Sequence, residues 1–161
     1  SELRTVPCND RIEIAPMIEE IFADLAPLAE KNGIILESTG DGTMTGSDTL
    51  IYRLLFNLTE NAIRYNRPDG IVRITVTEEE KRLIIRVADT GYGVPEQYRE
   101  SIFHPFFRVD KSRDRENGGV GLGLSLVWEI ATLHGGDVRV EKSSEKGTTI
   151  AVKLPLYTQT D

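Results

Sequence analysis

The sequence predicts an α+β fold, a two-layer sandwich in which a mixed, mostly antiparallel sheet of about five strands is covered on one face by about three helices. Three stretches read as helices. Two others alternate apolar and polar residues on both sides of a short turn, as antiparallel hairpins do. Helices stand between these strand pairs without the strict alternation of single strands and helices that a Rossmann-type sheet requires.

The first helix is predicted over residues 16–32, where an apolar stripe is followed by a capping glycine. The stripe consists of Met17, Ile21, Leu25 and Leu28. Gly33 occupies the C-cap position, because glycine readily takes the left-handed conformation that ends many helices. Pro27 lies inside this helix and predicts a kink, since its ring removes a backbone donor and clashes with the preceding turn.

The remaining chain divides into a series of short elements. In chain order these are a strand at 34–38, turns at 41–48, a helix at 48–65 capped by Ser47 or Asp48, hairpin strands at 71–77 and 82–88, a turn-rich segment at 95–119, a helix from Gly121 to the glycine pair at 135–136, and a second hairpin at 137–155. Residues 1–11 are expected to form a linker, residues 12–157 one domain, and residues 158–161 a C-terminal tail.

Composition is that of an ordinary globular domain in a reducing, aqueous compartment. The 161 residues include one cysteine, Cys8, and two histidines, so neither an intrachain disulfide nor a four-ligand Cys/His metal site can form. No stretch has the length of a membrane span and no signal peptide opens the chain, so we expect a cytoplasmic location, with any membrane anchor outside this sequence. The net charge of −7 argues against nucleic-acid binding.

An asparagine pair interrupts the apolar face of the second helix, in the stretch FNLTENAIRYN. Asn57 and Asn61 lie four residues apart and therefore on one face. Buried amides are costly without partners, so the pair requires a reason. Amide oxygens suit Mg²⁺, which also borrows phosphate oxygens, while Arg64 and Tyr65 would offer a cation and an aromatic face. The alternative is that the asparagines bond neighbouring backbone.

A carboxylate and two glycines follow an apolar strand in the stretch ADTGYGVP. Asp89 would stand at the strand end, with Gly91 and Gly93 in a turn where glycine allows positive φ and the close approach of a ligand. A carboxylate buried there needs donors, and the exocyclic amine of an aromatic heterocycle could supply one. Taken alone, the motif is more simply an Asp-Gly turn.

Glycines also cluster in NGGVGLGLSLV, at the start of the third helix. Each glycine inside a helix costs about 1 kcal/mol relative to alanine, so the cluster requires a reason. Unpaired amides and the positive end of the helix dipole would form an anion site, and a flexible lid hinge is the alternative. The pattern is not a Walker-type loop, because no lysine follows. The glycine of EKGTTIAV, taken alone, is only a hairpin glycine.

These stretches occur in an order that resembles the ATP-binding domains of sensor histidine kinases: NLTENAIRY, DTGYG, FHPFFR, GVGLGL and GTT. The resemblance extends from Ile12 to Pro155. That group is similar to DNA gyrase, the heat-shock chaperones of the ninety-kilodalton class and the mismatch-repair ATPases. The resemblance implies a Bergerat-type ATP-binding fold, with residues 12–157 as the catalytic domain and a mobile ATP lid.

The resemblance also implies a set of residues around Mg-ATP. Asn61 would coordinate Mg²⁺ with Asn57 assisting at the phosphates, and Asp89 would accept a hydrogen bond from the adenine amine. Arg108 would reach the terminal phosphate, and Glu60 is either a modest base or a bridging residue. The other implied ATP contacts are Arg64, Tyr65, Gly91, Gly93, Val94, Phe107, Gly119, Val120, Gly121, Leu122, Gly123, Leu124 and Thr148. The lid would run from Arg108 to Gly119, anchored by Phe103, Phe106 and Phe107.

The implied activity is transfer of the γ-phosphoryl group to a histidine on a separate helical dimerisation domain, with a response regulator as an indirect partner. The opening SELRTVP lacks the histidine of the family's acceptor box, and His104 and His134 are expected to be structural, so the chain should not phosphorylate itself. Related hydrolases place a glutamate base where Asn57 stands, so fast ATP hydrolysis is not expected. Two alternatives stay open: a non-catalytic nucleotide-sensing module and an anti-sigma-type serine kinase.

Overall fold

The structure, a computed structural model, describes residues 6–105 and 120–157, without the side chains of residues 120–123. These ranges contain three α-helices: α1 (Ile14–Asn32), α2 (Asp48–Arg64) and α3 (Val120–Leu133). The strands are β1 (Asp10–Glu13), β2 (Ile35–Gly40), β3 (Thr43–Gly46), β4 (Ile71–Glu79), β5 (Arg82–Asp89), β6 (Asp137–Ser144) and β7 (Gly147–Pro155). Two short 3-10 turns, Glu96–Tyr98 and Ser101–Phe103, follow β5.

Five strands form the main sheet in the order β2-β4-β5-β7-β6. β2 pairs in parallel with β4, and every other neighbouring pair in this sheet is antiparallel. The sheet is therefore mixed and mostly antiparallel, which confirms the predicted α+β class. Both predicted hairpins are present, as β4–β5 and β6–β7.

A small second sheet was not predicted. β1 pairs antiparallel with β3, from Asp10 opposite Gly46 to Glu13 opposite Thr43. The prediction of turns alone at 41–48 is therefore wrong, and the strand β1 begins inside the segment expected to be linker. Each strand has only four residues, too few for an alternating pattern to stand out, and the hydrogen-bonding partner lies far away in the sequence.

The core lies between the three helices and one face of the main sheet. On β5 the residues that join this core are Leu83, Ile85 and Val87, spaced two apart on one face of the strand, while Ile84 on the other face is buried as well. The predicted stripe of α2 is buried throughout, at Leu50, Leu54, Leu58 and Ala62. The other face of the sheet carries ion pairs, Arg73 with Glu37 and Arg86 with Glu141, both at 2.9 Å.

The ends of the helices follow the predicted chemistry. α1 ends at Gly33 with φ 69°, and the amide of Ile34 donates to the carbonyl of Ala29 at 2.8 Å, so the predicted glycine cap is confirmed. The helix continues through Pro27. Ser47, and not Asp48, caps α2, because its Oγ accepts from the amide of Leu50 at 3.3 Å.

Helices α2 and α3 pack against each other. His134, just after α3, accepts a hydrogen bond on Nε2 from the amide of Ser47, just before α2, at 3.0 Å. Because the end of α3 lies at the start of α2 and the two helices pack together, the 14 residues of α3, about 21 Å long, extend towards the last turns of the 17-residue α2. The asparagine end of α2 and the glycine-rich start of α3 therefore lie on the same side of the molecule.

Candidate functional site

Asp89 ends the buried face of β5, two residues after Val87. Its half-buried side chain accepts two hydrogen bonds on Oδ1, from the amide of Gly91 at 2.9 Å and from the amide of Thr148 at 3.2 Å. Within the described part of the chain, no group donates to Oδ2. Thr148, expected from the sequence near Asp89, thus donates to it through its backbone amide, and one carboxylate oxygen stays available to a ligand.

Burial dominates the electrostatics of this carboxylate. Desolvation raises the pKa of Asp89 from its ordinary value of 3.8 to about 6, against the smaller lowering effect of the two backbone hydrogen bonds. At neutral pH the group is still mostly ionised. It is then an acceptor that lacks a strong partner, which favours binding of a neutral N–H donor.

The glycines after Asp89 are required by packing within the protein. A methyl group at Gly91 would lie 2.3 Å from the carbonyl oxygen of Tyr65, and one at Gly93 would lie 2.2 Å from that of Ser144. Gly93 also has φ 84°, as predicted, whereas Gly91 is not among the positive-φ residues. At both positions the close neighbour is the backbone of another element, and the close approach of a ligand expected from the sequence stays a prediction.

Gly147 is a site residue whose role the sequence did not reveal. Its φ is 139°, and a methyl group there would lie 1.9 Å from the carbonyl oxygen of Asp89. The start of β7 therefore presses directly against the strand that carries the carboxylate. Only the neighbouring Thr148 had been placed at the site from the sequence, and the contact of Gly147 with Asp89 depends on strand pairing that no local pattern encodes.

The asparagine pair lies on α2 as predicted, with both side chains half-buried. Nδ2 of Asn61 is buried and has no hydrogen-bond partner among the described residues. The alternative that this amide bonds neighbouring backbone is therefore not supported. An amide kept in this state within a core helix is consistent with a polar ligand, because an unsatisfied buried polar group costs about 1–3 kcal/mol.

The end of α2 is fastened to the loop after Asp89 by a second amide. Asn66 accepts a hydrogen bond on Oδ1 from the hydroxyl of Thr90 at 2.9 Å and donates from Nδ2 to the carbonyl of Ile71 at 3.0 Å. Thr90 in turn accepts from the amide of Ile71 at 2.9 Å. These bonds bring the asparagine helix and the aspartate loop together. The sequence motifs do not single out Asn66, although it directly follows NLTENAIRY.

Two charged residues in the last turns of α2 pair with each other. Oε2 of Glu60 lies 3.6 Å from Nη2 of Arg64, one helical turn away, and both side chains are partly exposed. This supports the bridging alternative for Glu60. Arg64 is consequently held at the surface beside Tyr65, which caps the helix and contacts the aspartate loop through its carbonyl.

A further arginine spans the outside of the aspartate loop. Arg67 lies with its guanidinium carbon 4.2 Å from the ring centroid of Tyr92, and its Nη2 donates to the carbonyl of Glu145 at 3.0 Å. Tyr92 is 60% exposed, so this contact lies at the surface. Arg67 therefore links the exit of α2 with the β6–β7 turn across the loop.

Helix α3 begins at Val120, so its unpaired amides fall in the glycine-rich stretch as predicted. Leu124 is the fifth residue, where the amide is used inside the helix, and its side chain is 3% exposed in the core. Its side chain therefore contributes to packing, and the role of its backbone amide at an anion site stays a prediction. Of Val120, Gly121, Leu122 and Gly123 only the backbone is described, and Phe107, Arg108 and Gly119 lie outside the described residues.

Comparison with known proteins decides the family. Residues 46–158 match the family described as histidine kinase-, DNA gyrase B- and HSP90-like ATPase. The chain belongs to this ATPase family. The resemblance inferred from the five motifs is thereby confirmed, and ATP is the nucleotide that the family name implies.

Among curated relatives, this ATPase-family chain is 38% identical to the sensor histidine kinase RppB of a Synechocystis strain over 140 residues, which is 87% of the chain and 31% of RppB. It is 44% identical to the sensor histidine kinase WalK of Bacillus subtilis over 107 residues, 65% of the chain and 18% of WalK. The chain therefore spans less than a third of the length of these relatives.

Solved structures give the same fold. The catalytic domain of the histidine kinase ThkA superposes with a TM-score of 0.79 at 26% identity, covering 94% of the chain and 99% of that domain. Full-length ShkA in complex with AMPPNP gives 0.80 at 25% identity, covering 95% of the chain and 32% of ShkA. Among the described residues, no helix is both long and apolar enough to cross a membrane.

Proposed function

We propose that the chain is the ATP-binding catalytic domain of a sensor histidine kinase, which transfers the γ-phosphoryl group of Mg-ATP to a histidine on a separate helical dimerisation domain. The observation that carries this proposal is Asp89, with Oδ1 held by two backbone amides and Oδ2 open within the described part of the chain. An ionised carboxylate in that state selects a base with an exocyclic amine, as adenine has and hypoxanthine lacks.

The asparagine pair supports a magnesium ion bound together with the nucleotide. The buried amide of Asn61 can present its oxygen, because the oxygen and nitrogen of an amide exchange places by a half-turn of the side chain. In the described ranges no three His, Cys, Asp or Glu side chains come together as metal ligands, so phosphate oxygens would complete the coordination. When bound, Mg²⁺ supplies neutralisation of the phosphate charge.

The protein's own contribution to the reaction is position and charge. Phosphoryl transfer depends mainly on aligning the acceptor with the phosphate and on stabilising the charge that spreads over its oxygens. Free amides at the start of α3 and the Arg64 guanidinium at the end of α2 offer donors on the same side of the molecule. Asn57 cannot take a proton from water, so hydrolysis should be slow compared with transfer.

The acceptor domain and a response regulator are the proposed partners. A solved complex contains the kinase ThkA with its response regulator TrrA, and the ThkA kinase covers 92% of this chain in the superposition. The domain would act in the cytoplasm, where ATP is available, without contacting nucleic acid or membrane. Phe107, Arg108 and Gly119 keep their proposed roles at the lid.

Phosphotransfer to a supplied acceptor tests the proposal. The chain is mixed with radiolabelled ATP, Mg²⁺ and a separately produced helical dimerisation domain that bears the acceptor histidine of a related sensor kinase. We expect acid-labile, base-stable label on that domain. Label on a serine-bearing anti-sigma substrate instead would favour the serine-kinase alternative, and ATP binding without transfer to either would favour a sensing module.

Two substitutions connect this activity to the site. Asp89→Asn should abolish ATP binding, because the asparagine either points its NH2 group at the adenine amine or offers a neutral oxygen that accepts more weakly than a carboxylate. The far-ultraviolet circular dichroism should stay that of the wild type. Asn61→Ala should remove the Mg²⁺ dependence of binding and the transfer. The exposed Asp137→Asn and Asn32→Ala serve as matched controls and should behave as wild type. Normal ATP affinity in the Asp89 variant would refute the adenine assignment.

A further inference from the structure

Strand register aligns three polar side chains in a row at one end of the main sheet. Asp89 of β5 pairs with Thr148 of β7, and Thr148 pairs with Ser143 of β6. Directly opposed residues point to the same face of a sheet. Because Asp89 continues the inward face of β5, Thr148 and Ser143 also lie on the helix-covered side.

An irregularity in β6 creates this alignment. The register shifts between Val140, which opposes Ile150, and Lys142, which opposes Thr149. In a regular ladder Lys142 would oppose Thr148, and a long cation would stand where Ser143 now lies. β-Bulges commonly turn a side chain towards a functional site in this way.

Hydrogen bonds join the row into a chain that ends on Asp89. The hydroxyls of Ser143 and Thr148 lie 2.8 Å apart and hydrogen-bond to each other. The amide of Val94 donates to Oγ of Ser143 at 2.7 Å, and the amide of Thr148 donates to Oδ1 of Asp89 at 3.2 Å. Thr148 is buried, so its hydroxyl depends on this one partner among the described residues.

Arg99 holds the backbone of both Ser143 and Val94. Its Nη2 donates to the carbonyl of Ser143 at 2.9 Å, and its Nε lies 3.4 Å from the carbonyl of Val94. One guanidinium therefore hydrogen-bonds the backbone carbonyls of both residues, Val94 and Ser143, that are joined by the Val94–Ser143 hydrogen bond. The loop from Asp89 to Val94 is consequently held at its far end by β6, independently of Asn66 at its near end.

From this arrangement we infer that Ser143 is a positioning residue for adenine recognition, acting through Thr148 and Val94 on the orientation of Asp89. The inference rests on the proposed function and deepens it. Ser143 itself does not have to touch the nucleotide. Removing its hydroxyl leaves the Val94 amide and the Thr148 hydroxyl without their partner, so the carboxylate loses directional support and discriminates less between purines that do and do not carry a 6-amino group.

The measurement is the ratio of dissociation constants for ITP and ATP, determined by calorimetry with the whole chain and Mg²⁺. ITP has an oxygen in place of the adenine amine, so this ratio reports on Asp89 and not on general stability. In Ser143→Ala we expect ATP to bind about fivefold to tenfold more weakly, as the loss of one net hydrogen bond predicts, with ITP affected less. The ratio should therefore fall about fivefold.

Matched variants keep the test decisive. Ser144→Ala removes the neighbouring hydroxyl, whose one partner in the described part of the chain is the amide of Lys146 in the turn, and should keep the wild-type ratio. Ser143→Thr retains the hydroxyl and should restore the ratio, whereas the isosteric Ser143→Val should not. This pair also decides the question if Ser143→Ala fails to fold. Equal ratios in the Thr and Val variants, or an unchanged ratio in Ser143→Ala, overturn the inference, while a wild-type chain that binds no ATP contradicts the proposed function itself.

Discussion

At the scale of single residues, Asp89 shows how one position serves both the sheet and the site. It takes the next inward place after Leu83, Ile85 and Val87, so the same alternation that builds the core carries a carboxylate into a half-buried position. Burial costs the charged form free energy, and the two amide donors recover only part of it. Oδ2 of Asp89 still lacks a hydrogen-bond donor among the described residues, and a nucleotide base with an exocyclic amine can supply one.

This cost predicts a pH dependence of stability. The pKa of Asp89 is about 6 in the folded chain against an ordinary 3.8, so the folded state binds the proton more tightly and the free energy of unfolding falls as pH rises between those values. Asp89→Asn removes the titration. Relative to wild type, the variant should therefore gain up to about 3 kcal/mol between about pH 4 and pH 7.

Urea denaturation of both proteins at several pH values measures the difference. Other titrating groups, His134 among them, are common to the two chains and cancel. The exposed Asp137→Asn controls for the loss of one negative charge. Parallel stability profiles for wild type and Asp89→Asn would contradict the raised pKa.

At the scale of elements, the packing of α3 on α2 depends on a histidine and a glycine. His134 is fully buried, and burial lowers its pKa, which keeps the ring neutral. Nδ1 then donates to the carbonyl of Ile130 at 2.9 Å while Nε2 accepts from the amide of Ser47. The expectation that this histidine is structural is confirmed. Its role follows from Ser47 and Gly46, which are remote in sequence.

The close fit at Gly46 predicts a specific coupling. A methyl group there would lie 2.7 Å from Cδ2 and 2.8 Å from Nε2 of the His134 ring, so Gly46→Ala should destabilise the fold by about 1–3 kcal/mol. In a His134→Ala background the same change should cost clearly less, because the ring is absent. A double-mutant cycle by thermal or urea unfolding measures this. Additive effects would show that strain at Gly46 does not arise from the ring.

Elements also differ in how much the sequence revealed of them. The stripe of α2, the cap at Gly33 and both hairpins are encoded within short windows, and each was predicted. The β1–β3 pair and the irregular register at Val140 depend on partners far along the chain, so no local pattern announced them. For the same reason Asp89 and Asn61 were found as candidates, whereas Ser143 and Asn66, which position them, were not.

At the scale of the whole molecule, the fold gathers the ends of several elements at one place. The end of β5, the start of β7, the end of α2 and the start of α3 all face the same side. The chain carries a net charge of −7, so a polyanionic ligand must be held by local donors and by its metal ion instead of by the global charge. Neither of the two histidines in the sequence lies at any of these four element ends.

The chain on its own should therefore bind Mg-ATP without phosphorylating itself. Of its two histidines, His134 is buried with both ring nitrogens engaged, and His104 lies exposed after the second 3-10 turn. Incubation with radiolabelled Mg-ATP should leave no acid-labile label on the protein, and His104→Gln should behave identically. Acid-labile label that disappears in His104→Gln would show that the chain contains its own acceptor.

Glu141 and Lys142 are consecutive exposed residues of β6, so relatives that lack one residue here can keep the pairing of β6 with β7. Deleting one of them would leave Val140 opposite Ile150 and Ser143 opposite Thr148 in an ordinary ladder. Deleting a residue between Ser143 and Gly147 would instead alter the tight turn that sets this pairing. In a relative that is one residue shorter, a deletion before Ser143 therefore preserves the serine–threonine contact, whereas a deletion after Ser143 disrupts it.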